Sequence, residues 1–186
     1  MRKIAVFLMV LLVMLSCSSA KKTTVSPAEL AAFKTYIENG SFEFNATATF
    51  PLQTHAFTNV ANSGLLQPGS NSGHIDLTGN PSYVRFIGDS ISVLLPYFGE
   101  RRVSGGYGAN TDIKFDGILS DYEIAYDTIK SIYRISFRME QNTEVYDVHM
   151  AVFPSKNGNL SLNSTQRSTI RYNGIIQDIE DTETSK

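Results

Sequence analysis

The chain has 186 residues, 42% hydrophobic, 18% charged and 11% aromatic, with no tryptophan, a single cysteine and a formal charge of −2. That is enough apolar material for one ordinary core, so one globular domain is expected. The near-neutral charge and lone thiol argue against a nucleic-acid-binding surface, a disulfide framework and a cysteine-built metal site, because each needs residues this chain mostly lacks.

Met1-Arg2-Lys3 is a short basic start, followed by an apolar run from Ile4 to Leu15 and then by Ser16-Cys17-Ser18. About a dozen apolar residues fall short of the roughly 20 that span a bilayer, so residues 1–16 read as a cleaved export signal. Ser16 directly before the only cysteine, with Met14 and Leu15 ahead of it, resembles the lipobox of bacterial lipoproteins. In that pattern the cysteine is acylated and becomes the new N-terminus, which makes Cys17 a lipid anchor; the alternative is an incidental thiol within an ordinary signal peptide. Two or more acyl chains, at about 0.8 kcal/mol per buried methylene, hold a protein on a membrane without spanning it. By the sorting logic of such lipoproteins, Ser18 in place of aspartate favours the outer membrane. The lack of an acidic run over residues 18–22 favours its periplasmic side. Cleavage before Cys17 removes Arg2 and Lys3 and no acid, leaving a formal charge of −4.

Residues 17–25 read as the lipidated cysteine and a polar tether, 26–178 as a single β-rich domain and 179–186 as a flexible acidic tail. Ser26-Pro27-Ala28-Glu29 is a capping box with proline at the first helical position, and Leu30, Phe33 and Ile37 fall at helical spacing. A helix is therefore predicted over 27–39, ending at Asn39-Gly40. From Ser41 the period changes to two: Phe42, Phe44, Ala46, Ala48 and Phe50 share one face of a strand, with Glu43, Asn45, Thr47 and Thr49 on the other. Further strands are predicted at 73–77, 83–87, 90–95, 112–119, 122–127, 132–140, 145–153, 159–163 and 169–176. Turn residues at Gly88-Asp89, Ser120-Asp121, 127–131, 141–144 and 155–158 suit antiparallel reversals. There is no alternation of strand and helix of the kind a doubly wound fold needs. The fold class is mainly β: an antiparallel curved sheet, a sandwich or a partly closed barrel, with one N-terminal helix.

Two segments carry a family likeness. The first runs from Tyr83-Val84-Arg85-Phe86-Ile87-Gly88-Asp89 to Leu94-Leu95-Pro96-Tyr97-Phe98-Gly99, and the second is Arg171-Tyr172-Asn173-Gly174; Gly105-Gly106-Tyr107 and Ile113-Lys114-Phe115 lie between them. In this order they resemble the domain-of-unknown-function family numbered 4251, small exported proteins of Gram-negative anaerobes, from about Phe33 to Ile176. The resemblance implies a β-rich envelope domain, often behind a lipoprotein signal, and it implies no activity.

Pro96 cannot donate to a ladder, so the strand before it ends there and Tyr97 and Phe98 are expected to stand exposed ahead of Gly99. One reading of these aromatics is a plug at a strand end. The other adds Arg101, Arg102 and Tyr107, whose guanidinium forks and aromatic faces in a Gly-rich loop suit a carboxylate, a phosphate or a sugar acid. Gly105-Gly106-Tyr107-Gly108 is not a phosphate loop, having no following lysine and no helix to receive the anion. Asp112, Asp116 and Asp121 match no calcium loop, and His55, His74 and His149 stand in no metal-like pair. Nothing in the sequence asks for a cofactor. Asp89-Ser90-Ile91 and Asp127-Thr128-Ile129 resemble O-glycosylation acceptors of some envelope bacteria; Thr128, in a turn, is better placed than Ser90 at a strand start.

With no catalytic constellation in view, the sequence points to a membrane-anchored envelope lipoprotein that binds a small ligand or an envelope protein and not nucleic acid. The alternatives are a periplasmic hydrolase whose active site is assembled only in space, and a purely structural scaffold.

Overall fold

The computed structural model describes residues 25–64, 66–102 and 112–179. Helix α1, Pro27–Glu38, starts where the capping box places it: the Ser26 hydroxyl accepts from the Glu29 amide at 3.2 Å, and the Glu29 carboxylate accepts from the Ser26 amide at 2.8 Å. Those bonds hold the Glu29 carboxyl below its usual range. The helix ends at Asn39, and Gly40, at φ +68°, turns the chain into the first strand.

Among the described residues ten strands follow: β1 Ser41–Pro51, β2 Ile75–Asp76, β3 Tyr83–Ile87, β4 Ser90–Leu95, β5 Ile113–Ile118, β6 Ser120–Asp127, β7 Ile132–Gln141, β8 Glu144–Val152, β9 Asn157–Ser164 and β10 Ile170–Gln177. All pair antiparallel in one sheet of order β5-β4-β3-β1-β10-β9-β8-β7-β6, with β2 beside the far half of β1. The two outermost strands, β5 and β6, are joined by Leu119 alone. Because one residue spans at most about 3.6 Å, the two ends of the sheet must meet, and the sheet curls into a nearly closed barrel. Residues 113–127 thus act as one long bent strand, whose first half pairs with β4 and whose second half pairs with β7. The reversal expected at Ser120-Asp121 is therefore not a hairpin. The bend is pinned by the Leu119 amide donating to the Asp89 carbonyl at 3.0 Å.

The alternation read from the sequence places Phe42, Phe44, Val84, Phe86, Phe137, Tyr146, Leu160, Tyr172 and Ile176 inside the barrel, all buried. The register of β1 shifts between Ala46 and Ala48, so the inward set passes from Phe42, Phe44 and Ala46 to Thr49, and Ala48 and Phe50 face outward instead of sharing the inner face. Glycine is needed at Gly158 and Gly174, which pair with each other: a Cβ on either would strike the Phe44 ring, and one on Gly174 would also strike the Asn45 carbonyl. Helix α1 closes one end of the barrel, with Phe33 edge-on to Tyr133 at 5.6 Å, Lys34 4.0 Å over the Tyr126 ring and Glu38 accepting from the Tyr133 hydroxyl.

The structure adds a short helix that the sequence reading lacks, α2 at His55–Asn62, in the excursion between β1 and β2. Thr54 caps it, its hydroxyl accepting from the Phe57 amide and donating to the Glu100 carboxylate. The strand expected over 73–77 is reduced to two residues, and Asp112, expected on a strand, precedes β5.

Candidate functional site

The segment after β4 is the first candidate, and the structure divides its residues. Pro96 ends the strand as expected, but Tyr97 is buried and not displayed. Its hydroxyl lies within hydrogen-bond distance of the Ser168 carbonyl (2.9 Å), the Ser168 hydroxyl (2.9 Å) and the Glu100 carbonyl (3.0 Å). Burial pushes its pKa up. The ring is covered by the Arg167 guanidinium at 5.0 Å. Phe98 is half-buried against the core. Arg101 bridges Arg167 through the backbone, and Arg102, exposed, donates its amide to the Gln166 carbonyl at 2.7 Å. Tyr107 and Cys17 lie outside the described residues. Tyr97 fits the strand-end plug: the segments around Tyr97 and Arg167 close the second end of the barrel.

Beneath that closure is a buried polar cluster whose members nothing in their sequence spacing brings together. Arg167 Nε donates to Glu144 at 2.9 Å, with the two side chains only 4% and 10% exposed. The Ser164 hydroxyl donates to the same carboxylate at 2.5 Å. Burial works to raise the Glu144 pKa, but Ser164, Tyr146 and Arg167 together outweigh it and hold the carboxyl below its usual range. Burial and the neighbouring carboxylate push the Tyr146 hydroxyl up to about 12. Tyr172, fully buried, donates to the Pro96 carbonyl at 2.9 Å, and burial raises its pKa strongly. Every group here is satisfied by another, and the arrangement holds the end of the barrel shut.

An open concavity lies elsewhere, on the outer face of β6 to β10 and β1, where a groove of about 740 Å³ crosses the strands. Its lining is two rows of cross-strand neighbours. One row runs Glu123, Ser136, His149, Ser161, Arg171 and Phe50, each paired in register with the next. The second runs Ala125, Arg134, Ala151, Asn159 and Asn173 in the same way. The groove exists because most outward residues around His149 at its centre are small: Ser136, Ala151 and Ser161 leave the main chain between the rows uncovered, while Glu123, Arg171 and Phe50 stand at the ends. Phe50 lies edge-on to His74 at 5.4 Å, which fixes its ring. Arg134 pairs with Asp127 at 3.2 Å, whereas Arg171 is exposed and has no ion-pair partner among the described residues. In the sequence His149 and His74 drew notice only as isolated histidines, Phe50 only as a strand residue, and Arg171 and Asn173 only as part of the family likeness.

The two turn hydroxyls also differ. Thr128 sits in the exposed β6–β7 turn, where the Asp127 carboxylate accepts from the amides of Ile129 (3.1 Å) and Lys130 (3.0 Å). Those bonds, led by the one from Lys130, hold Asp127 below its usual pKa. Ser90 opens β4, is half-buried and shares its hydroxyl with Asp89 at 3.2 Å.

A family model described as Domain of unknown function (DUF4251) matches residues 25–176. Among solved structures, the crystal structure of a DUF4251 family protein from Bacteroides eggerthii is similar with a TM-score of 0.54, covering 81% of this chain and 88% of its own, at 13% identity. At that identity the likeness is one of fold. No curated protein matches the chain.

Proposed function

The chain belongs to the DUF4251 family, and on that premise we propose that it is a non-catalytic binding module of the cell envelope, anchored by lipid on Cys17 to the periplasmic side of the outer membrane. The groove on the outer face carries the binding half of this reading. It falls in the 300–1,000 Å³ range of ligand pockets, is formed by paired strands and not by loops, and lines up polar groups that the fold itself leaves unused. A hydrolase reading finds less support there. Glu123 and His149, the one carboxylate and the one histidine in the groove's described lining, stand on β6 and β8 with Ser136 of β7 between them, and no hydrogen bond joins them among the described residues. The anchoring half rests on Leu15-Ser16-Cys17 and on a polar tether that ends where α1 begins.

Both halves are tested on the mature chain purified in detergent. Intact mass of the native protein is expected to show an acylated N-terminus at Cys17, and Cys17→Ser is expected to leave the membrane fraction; an unlipidated chain cut elsewhere removes the anchor. Envelope extract, fractionated into saccharide, peptide and small-molecule pools, is expected to raise the melting temperature of the wild type and not of Ala151→Trp, which fills the groove from its floor. If no pool stabilises the wild type, the binding reading fails.

A further inference from the structure

Resting on the groove as the binding face, we infer that its ligand is a linear acidic saccharide, with a sugar ring on Phe50 and a carboxylate on Arg171. The dimensions come first. Six strands at about 4.8 Å spacing give a length of about 24 Å, so about 740 Å³ leaves a cross-section of about 30 Å². A cross-section that narrow suits a single extended chain better than a helix of about 10–12 Å diameter.

Chemistry then separates the two kinds of extended chain. A peptide bound to a sheet usually adds to an edge, where free main-chain groups receive its own. On this face the main chain of β7 to β10 is already paired on both sides, so a peptide lying across it meets no ladder. What the face offers instead is side chains that both donate and accept: Ser136 on β7, Asn159 and Ser161 on β9, and Asn173 on β10. Sugar hydroxyls, each a donor and an acceptor, match groups of that kind. The small apolar side chain of Ala151 leaves room for the C–H face of a pyranose, and Phe50, held by His74, is a preset stacking platform.

Charge sets the polarity. Arg171 is the cross-strand neighbour of Phe50 and is not committed to an acid among the described residues, so a carboxylate beside the stacked ring completes it. Arg134, on β7, is already paired with Asp127 at 3.2 Å, and Glu123 puts the lining's acid at the end opposite Arg171. The ligand is therefore oriented with its acidic unit toward β1.

The test follows backbone amide shifts in the mature chain on titration with hexagalacturonate, a hyaluronan hexamer and maltohexaose as probes. At least one acidic hexamer is expected to move amides of residues 134–136, 149–151, 159–161 and 171–173, and to bind more weakly as salt rises. Arg171→Gln is expected to weaken that binding about tenfold or more, as loss of a charge-assisted pair does, with Arg171→Lys intermediate. Maltohexaose is expected to bind less tightly and to be indifferent to Arg171→Gln. If Arg171→Gln unfolds, the salt dependence and the wild-type contrast between acidic and neutral hexamers still decide. Failure of both acidic hexamers overturns the saccharide. If envelope peptides then move the same amides, the groove stands as a binding face for another class; if nothing moves them, both readings fall together.

Discussion

Removing the Arg167 cation tests how the second end of the barrel is held. Arg167→Met keeps most of the stem and deletes the charge, leaving the Glu144 carboxylate 10% exposed with only the Ser164 and Tyr146 hydroxyls facing it. Breaking one partner of a buried pair costs about 3–5 kcal/mol, because the survivor stays desolvated. Two hydroxyl donors already bind this carboxylate, so the lower end, about 3 kcal/mol, is expected at pH 7. Glu144→Gln leaves the opposite charge, and there the Tyr97 and Tyr146 rings, 5.0 and 5.9 Å from the guanidinium, offset about 1 kcal/mol. About 2–3 kcal/mol is expected, and a double variant less costly than the sum of the singles.

The sign with pH discriminates. In the wild type the Glu144 pKa is depressed on folding, so its stabilisation is complete above the unfolded value near 4.3 and is lost as pH falls through the folded one. Without Arg167, burial prevails and the carboxyl rises, so protonation relieves the variant while it harms the wild type. Urea unfolding at pH 7.5, 6, 5 and 4 is therefore expected to show the gap between wild type and Arg167→Met shrinking below about pH 5, with unchanged m-values. A gap that is constant with pH, or under 0.5 kcal/mol at pH 7.5, would refute the buried-pair account.

Gly174→Ala is expected to cost about 1–3 kcal/mol in urea unfolding, since its Cβ meets the Asn45 carbonyl and Phe44, and Phe44→Leu in the same chain should restore less than half because the backbone contact remains. Ser26→Ala removes the acceptor of the capping box and should cost about 1 kcal/mol, with faster amide exchange confined to α1 and its neighbours on β7. Tyr172→Phe should cost about 1 kcal/mol by orphaning the Pro96 carbonyl, and a change within error would mean that bond is dispensable.

The strands were legible because their signal is local. From Phe42 to Ala46 the alternation of apolar and polar residues repeats the barrel's inside and outside, and nine of the ten strands fall within a few residues of where period and turns place them. The bulge after Ala46 was not legible, since Thr47-Ala48 continues the alternation while the register shifts by one. Closure was hidden for a different reason. Ser120-Asp121 carries hairpin residues, but whether a chain reverses or bends onward depends on which strands it next meets, and that is set by pairings across the whole sheet. The groove was less legible still: Ser136, Ala151 and Ser161 are unremarkable one at a time, and become a site only when three strands bring them into line.

That lining-up also bears on where this barrel has room to bind. Barrels of similar strand number often enclose a ligand in the lumen. Here the inward positions of β1, β3, β7, β8 and β10 carry Phe42, Phe44, Phe86, Phe137, Tyr146 and Tyr172, with Phe86 packed against both Phe42 (4.7 Å) and Phe137 (5.6 Å). α1 closes one end, and the segments around Tyr97 and Arg167 close the other. An interior ligand would have to displace aromatic side chains that each bury about 150–250 Å² and that hold the two closures in place. The outer groove asks for no such rearrangement. It is built on β7, β8, β9 and β10, which are paired on both edges and packed on their inner face by that same core, so its side chains are positioned before anything binds. The aromatic filling that shuts the lumen thus also backs the proposed binding face from within.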